Sequence, residues 1–410
     1  MMPVLRFGLS VVLIIGISFT ARAQKQYFGL SPNRRNETVQ FSNYDNLVVA
    51  EFVMNDTLPL RLMIDSGVEG VIITDKAISL RLRDSWLRDF KISAPGSPEE
   101  LDASITKSLK LSFGPLESIV ANMVLLKDDY FSLDQYIGAK VHGLIGMEKF
   151  RDLMVTTNYD RNTLRFERPE DFKIKNHTQI IPVIITQGKP YMPVRVALDN
   201  QHIKDLWLMV DSGANHPLLL EKDSLDGFKP KVSLDAIIGK GLAGIIPGSF
   251  ARVGWMMLGN FRLDDIVTSF TDQYMPSNFL NRQKRHGTLG AGALARFLVT
   301  FDYTNSRILL RKGSKFSQPF EYNMSGLNFR ASGSGFNIFE VSEVIPGSPS
   351  DEAGILPGDI LMSVDEKYTF MLNMGELNNL LSDRSGKVLK LGISRDGRRM
   401  NFKIKLRRLI

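Results

Sequence analysis

Two stretches of this chain are near copies of one another. LMIDSGVEGVIIT (62–74) and LMVDSGANHPLLL (208–220) each run apolar residues into Asp-Ser-Gly and out again, 146 residues apart. Downstream, HGLIGMEKFRDLMVTTNYDRNTLRFE (142–167) aligns without a gap on HGTLGAGALARFLVTFDYTNSRILLR (286–311) at a shift of 144. Two motifs repeated in order at nearly equal shifts mean two tandem units of one fold, and that limits the architecture more than any other feature. The units run over about 38–172 and 178–315. A third region, 327–410, has no counterpart in the repeat.

Each unit reads as short alternating runs, LVVAEFVM, LPLRLMID and VIIT in the first and MPVRVAL, LWLMVD and PLLL in the second, separated by turn residues such as Asn55-Asp56 and Gly188. This pattern predicts a mainly β fold of barrels or sandwiches rather than alternating α/β units. MEKFRDL and AGALARF read as single short helices. The apolar share of 43% and charged share of 23% are those of a folded chain. Residues 7–20 are almost wholly apolar, follow Arg6 and precede Ala21-Arg22-Ala23. That reads as a signal peptide over 1–23, too short for a membrane span, and predicts a secreted or periplasmic protein with no stable membrane insertion after cleavage. Cleavage removes Arg6 and Arg22 and no acid, taking the net charge from +7 to +5. The chain has no cysteine, which argues against a lipid-anchored lipoprotein and leaves no disulfides. The basic cluster from Arg395 to Arg408 alternates with Met400, Phe402, Ile404 and Leu406 and reads as a strand with a solvated face, so no nucleic-acid partner is expected.

An aspartate at the end of an apolar strand is an awkward place for a charge. Alone, Asp-Ser-Gly is an ordinary turn. Repeated in two units related by a pseudo-twofold axis, Asp65 and Asp211 would face each other. Two carboxylates a few ångströms apart cannot both ionise easily and share one proton. The ionised one can take a proton from water while the neutral one donates to a carbonyl.

These residues resemble the aspartic peptidases, and more closely their small retropepsin-like lobes. The turns Asp65-Ser66-Gly67 and Asp211-Ser212-Gly213 match the catalytic motif, and Leu144-Ile145-Gly146 and Leu289-Gly290 match the strand that braces it. The resemblance covers about 38–315. It implies an aspartic endopeptidase acting on a peptide or protein substrate, with Asp65 and Asp211 catalytic, Ser66, Gly67, Ser212 and Gly213 supporting the loops, and no metal or cofactor. It also implies a glycine-rich hairpin over the cleft. IIGKGLAGIIPGSF (237–250), with Gly239, Gly241 and Gly244, is the stronger candidate, and 92–104 is a looser cover. Pepsin-like enzymes often place a hydroxyl three residues after each aspartate. Here those positions are Val68 and Ala214, which predicts a raised dyad pKa and activity at weakly acid to neutral pH. Glu69 could raise Asp65 further or mark a lobe that has lost catalysis. A catalytically inactive peptide-binding protein on the same scaffold is the alternative, and a site formed between two chains is a third.

VSEVIPGSPSDEAGILPGDILMSVDE (341–366) resembles a PDZ domain, which the resemblance extends over 327–410. MGELNNLLSDRSG (374–386) would be its second helix. The resemblance implies binding of a peptide C-terminus or regulation of access, at Gly335, Phe336, Asn337 and Ile338 and the strand that follows. The five histidines make no metal spacing, and His142 and His286, which recur in register, read as loop residues. Neither a nucleophile elbow nor a phosphate-cradling loop is present.

Overall fold

A computed structural model describes residues 25–92, 100–130, 132–241, 244–272, 278–279 and 283–410. The expected signal peptide therefore lies outside the described residues, as do the tip of the 92–104 segment and residues 242–243 of the expected hairpin. The protein is mainly β, with 49% of residues in strands and 11% in helices.

In the first unit Leu58–Asp65 leads into the Asp-Ser-Gly turn, and Val71–Ile73 leads out. Gly143–Gly146 lies between them, parallel to the first and antiparallel to the second, with Gly146 opposite Asp65. The second unit repeats this. Gly287–Gly290 lies between Ile203–Asp211 and Leu218–Glu221, with Gly290 opposite Asp211. These strands are near-continuous apolar runs because neighbours cover both faces, as parallel pairing requires. Their inner residues Leu62, Ile64, Leu208 and Val210 are buried.

A six-stranded sheet joins the units, in the order Asn36–Gln40, Thr163–Glu167, Met154–Asn158, Phe297–Asp302, Arg307–Lys312, Gln179–Pro182. Its two central strands run antiparallel with Thr156 opposite Thr300, and the two hydroxyls hydrogen-bond at 2.8 Å. These residues are related by the 144-residue shift, so the pseudo-twofold axis passes between them. A single apolar core runs under this sheet. Phe28, just before the first unit, and Phe52, Phe113, Phe150 and Phe166 within it join Val299, Phe297, Phe301 and Leu310 from the second.

Both units carry a hairpin here. Trp86–Ile92 pairs with Leu101–Thr106, and Leu234–Gly241 pairs with Gly244–Leu258, where Gly241 stands opposite Gly244. One of the two expected helices differs in kind. Met147–Phe150 is a single 3-10 turn, while Ala291–Leu294 is α-helical. Among the described residues no helix is long and apolar enough to cross a membrane.

Residues 327–405 form a separate sheet, ordered Leu327–Ser332, Ile338–Val344, Ile360–Val364, Val388–Arg395, Arg398–Lys405, with its own core of Leu327, Phe329, Ala331, Val341, Leu361, Leu377, Leu381 and Ile393. Ser348 caps the helix Pro349–Glu352, and Asn373 with Glu376 forms a capping box on Met374–Leu381. Arg395 binds the buried Asp359 through Nε and Nη2, both at 2.7 Å. The connection to the second unit is held rather than loose. Arg296 donates to the Lys315 carbonyl at 3.1 Å and the Pro319 carbonyl at 3.0 Å, and its guanidinium lies 3.4 Å from the Phe320 ring centre. Arg252 reaches the Phe320 and Ile410 carbonyls.

Thr156→Val removes the axial hydroxyl pair and leaves the Thr300 hydroxyl short of a partner. The expected result is a loss of about 1 kcal/mol in denaturant unfolding, with an unchanged m-value.

Candidate functional site

The two Asp-Ser-Gly turns meet at the axis through their serines. Ser66 N donates to Ser212 Oγ at 3.0 Å and Ser212 N to Ser66 Oγ at 2.9 Å. Each hydroxyl then donates across to the other unit, Ser66 to the Val210 carbonyl at 2.7 Å and Ser212 to the Ile64 carbonyl at 3.2 Å. Both serines are buried, so every one of these groups needs its partner.

This crossing brings the aspartates together. The Asp65 carboxyl abuts Gly213 and the Asp211 carboxyl abuts Gly67, each across the axis from its own turn. Each carboxylate also accepts from the glycine amide two residues on, Gly67 N at 2.6 Å and Gly213 N at 3.0 Å. The glycines are required by close approach. A β carbon on Gly67 would lie 2.7 Å from the Asp211 carboxyl carbon, and one on Gly213 would overlap the Asp65 carboxyl. Burial first, and then the Asp211 charge, hold Asp65 well above the usual carboxylate range. Lys189, at the start of the Lys189–Ala197 strand of the second unit, opposes this weakly. Two carboxyls held this close in a buried site do not both ionise easily.

Behind the two turns the units differ. Glu148 Oε1 accepts from Gly70 N at 2.7 Å, while the buried Oε2 has no partner among the described residues. Burial raises the Glu148 pKa, and the nearby Glu69 charge adds to it. The effect expected of Glu69 on the first aspartate thus falls on Glu148. In the second unit the buried His216 ring fills the corresponding side, its pKa lowered to about 4 by burial, against the pull of Asp211. The sequence reading missed both. The signal lay where the repeat breaks, since the equivalents of Glu148 and His216 are Gly292 and Gly70.

His142 and His286 lie in the loops just before the Gly-strands, as expected, but their rings are engaged. Nδ1 of His142 accepts from Arg61 N at 2.8 Å, and Nδ1 of His286 accepts from Trp207 N at 2.9 Å. Their own amides return to the Arg61 and Trp207 carbonyls. Each therefore tethers a Gly-strand to its Asp-strand, as a neutral ring with the proton on Nε2. Among the described residues no group of three or more His, Asp and Glu side chains is arranged to hold a metal.

The hairpins rest on the strands that leave the turns. Ile238 and Ile246 pack with Leu219, and Phe90, Ile92 and Ile72 all pack against Ala103 and Leu126. Gly239 adjoins a bulge in its hairpin, and a β carbon there would meet open space.

In the C-terminal unit a short helix at 349–352, a tight Gly-Asp strand start at 358–360 and a second helix at 374–381 frame one sheet. Residues 340–395 match the family model of the PDZ domain. The C-terminal unit contains a PDZ domain. No curated protein matches the chain. PDZ domains bind peptide C-termini by adding a strand to a free sheet edge. The structure moves that edge. Gly335, Phe336 and Asn337 lie in and after a turn that connects two strands, with Phe336 in the left-handed region (φ 52°) and its amide donating to the Gly333 carbonyl at 3.2 Å. The strand that starts at Ile338 is paired with Leu327–Ser332 on one side and Ile360–Val364 on the other. It cannot take another partner where both edges are used. Leu327–Ser332 is the outer strand of the sheet, and Met374–Leu381 borders it.

Two outcomes follow. Ser66→Ala leaves the buried Ser212 amide and Val210 carbonyl unpaired, so a stability loss of roughly 2–5 kcal/mol is expected by chemical denaturation. Ser66→Thr, which keeps the hydroxyl, should lose far less. Separately, Asp65 binds its proton more tightly folded than unfolded, so its contribution to stability is present below about pH 4 and falls as pH rises through the raised pKa. Asp65→Asn cannot ionise and escapes that fall. Melting curves should show the variant gaining on the parent between pH 4 and pH 8, and parallel curves would refute the buried-acid assignment.

Proposed function

We propose that the chain is an exported aspartic endopeptidase of two retropepsin-like lobes, 38–172 and 178–315, followed by the PDZ domain. The observation that carries this is the facing Asp65–Asp211 pair, held by reciprocal serine bonds on a pseudo-twofold axis. The apolar run over residues 7–20 supports export to the periplasm or exterior.

In this mechanism the ionised carboxylate takes a proton from a water held between the pair. The hydroxide attacks the scissile carbonyl carbon, and the neutral carboxyl gives its proton to the carbonyl oxygen. A tetrahedral diol results. The first carboxyl then returns its proton to the amide nitrogen, the C–N bond breaks, and one diol hydroxyl gives its proton back to the second carboxylate. The pair is regenerated with one shared proton. No covalent intermediate forms. The hairpins 86–106 and 234–258 rest on Ile72 and Leu219, where they can cover an extended substrate and exclude water. Gly239, Gly241 and Gly244 let the second approach a peptide backbone closely.

Cleavage of a casein-type substrate, with and without an inhibitor that mimics the tetrahedral diol, tests the proposal. Asp65→Asn and Asp211→Asn should each lower kcat by about 10²–10⁴-fold. If only one does so, the shared pair is wrong. If the parent cleaves nothing but binds the inhibitor, the scaffold is a peptide binder. The raised Asp65 pKa places the alkaline limb of the pH–rate profile above about pH 4, the ordinary carboxylate value. A profile peaking below about pH 3 would count against this dyad.

A further inference from the structure

The edge of Leu327–Ser332 is not vacant. The short helix Leu133–Ile137 of the first unit packs against that strand. Gly138, which ends the helix in the left-handed region (φ 74°), sits between strand and helix: a β carbon there would lie 2.8 Å from Met374 Cβ and 3.7 Å from Ala331 Cβ. Ala331 belongs to the PDZ core with Met374 and Leu377, so this is the apolar trough between the outer strand and its bordering helix. At the head of the strand, Asn323 Oδ1 accepts from Ser325 N at 2.9 Å and Gly326 N at 3.2 Å, as a carboxylate oxygen would.

The other side of the same segment packs on the strands around the Asp65 turn. Leu133 and Ile137 pack with Val68, Met63 and Leu144 and with Ala291 of the second unit. Leu133 also reaches the Ile72 cluster under the first hairpin. A polar junction sits beside it. Asn215, four residues after Asp211, donates to Asp45 at 3.0 Å, and Asn378 on the PDZ helix lies beside Asp45 and lowers its pKa against burial. Tyr136 is hydrogen-bonded to Asn215.

We propose that Leu133–Gly138 is a built-in plug in the PDZ groove: an extended peptide with an apolar last residue and a free carboxylate takes the edge of Leu327–Ser332 only by displacing it, and the displacement frees the hairpin and the Asp45–Asn215 bond beside Asp211. This rests on the peptidase reading only for its effect on cleavage. The exchange itself is a binding equilibrium, in which plug docking reduces the apparent peptide affinity by the fraction of groove left open.

The test uses the full chain and a fluorescein-labelled hexapeptide ending in valine with a free carboxylate. Gly138→Val has no room for its side chain against Met374 and disfavours the left-handed φ, so it should bind the peptide about tenfold or more tighter than the parent. Asn378→Ala, which leaves the plug sequence intact, should shift affinity in the same direction. By hydrogen exchange, saturating peptide should slow amides 327–332 and speed amides 133–139 in the parent. Protection of 327–332 with no change at 133–139, equal affinity in parent and Gly138→Val, or no binding by either chain would overturn the proposal. Run also in Asp211→Asn, the exchange is read without catalysis. A chain that swaps plug for peptide but cleaves nothing sinks the peptidase reading alone, and one that cleaves without the swap sinks only this proposal.

Discussion

Four hydrogen bonds exchanged between Ser66 and Ser212 hold the centre of this protein. Each serine satisfies the amide of the other and a carbonyl in the opposite unit, so neither turn is complete without its partner. The aspartates lie beside this crossing with glycines on the facing side, because a β carbon would push the carboxyls apart. Burial and mutual charge then raise Asp65. The electrostatics of the site therefore follow from backbone geometry fixed two residues away. Side-chain choice at the aspartates themselves contributes only the carboxyl groups.

Symmetry brings the pair together, and departures from symmetry distinguish its members. The Asp65 turn is backed by a buried carboxyl, Glu148, with one unpartnered oxygen, and the Asp211 turn by a buried imidazole. The segments that approach from the opposite unit differ as well. Lys189 stands near Asp65, whereas Asp45 bonds Asn215. Where two facing carboxyls have different surroundings, any proton they share favours one of them.

Much of this was legible in the sequence, for physical reasons that can be named. The Asp-Ser-Gly turns and the Gly-strands were visible because a twofold contact demands the same residues twice. The strands were visible because burial imposes alternation. The PDZ domain was visible in Pro-Gly-Ser-Pro and Pro-Gly-Asp, where cap and turn chemistry leave little choice: Ser348 caps a helix and Asp359 binds Arg395. What escaped depends on long-range pairing. Gly335 to Ile338 resembled a binding loop, but which strand has a free edge is decided by the whole sheet order, which no local pattern shows. MEKF read as a helix, yet it makes one 3-10 turn, in which Glu148 turns back to Gly70. Asp45 and Asn215 lie 170 residues apart in different units, and no local pattern joins them.

The six-stranded sheet has a consequence for how the site comes into being. Met154–Asn158 and Phe297–Asp302 pair inside one chain over a common core, so the two halves of the dyad never have to find each other by diffusion. Facing turns built from separate subunits would come apart on dilution, and the paired state would depend on concentration. Here the encounter is intramolecular, at the effective concentration that a covalent connection sets. However dilute the protein, its centre stays assembled for as long as the chain stays folded.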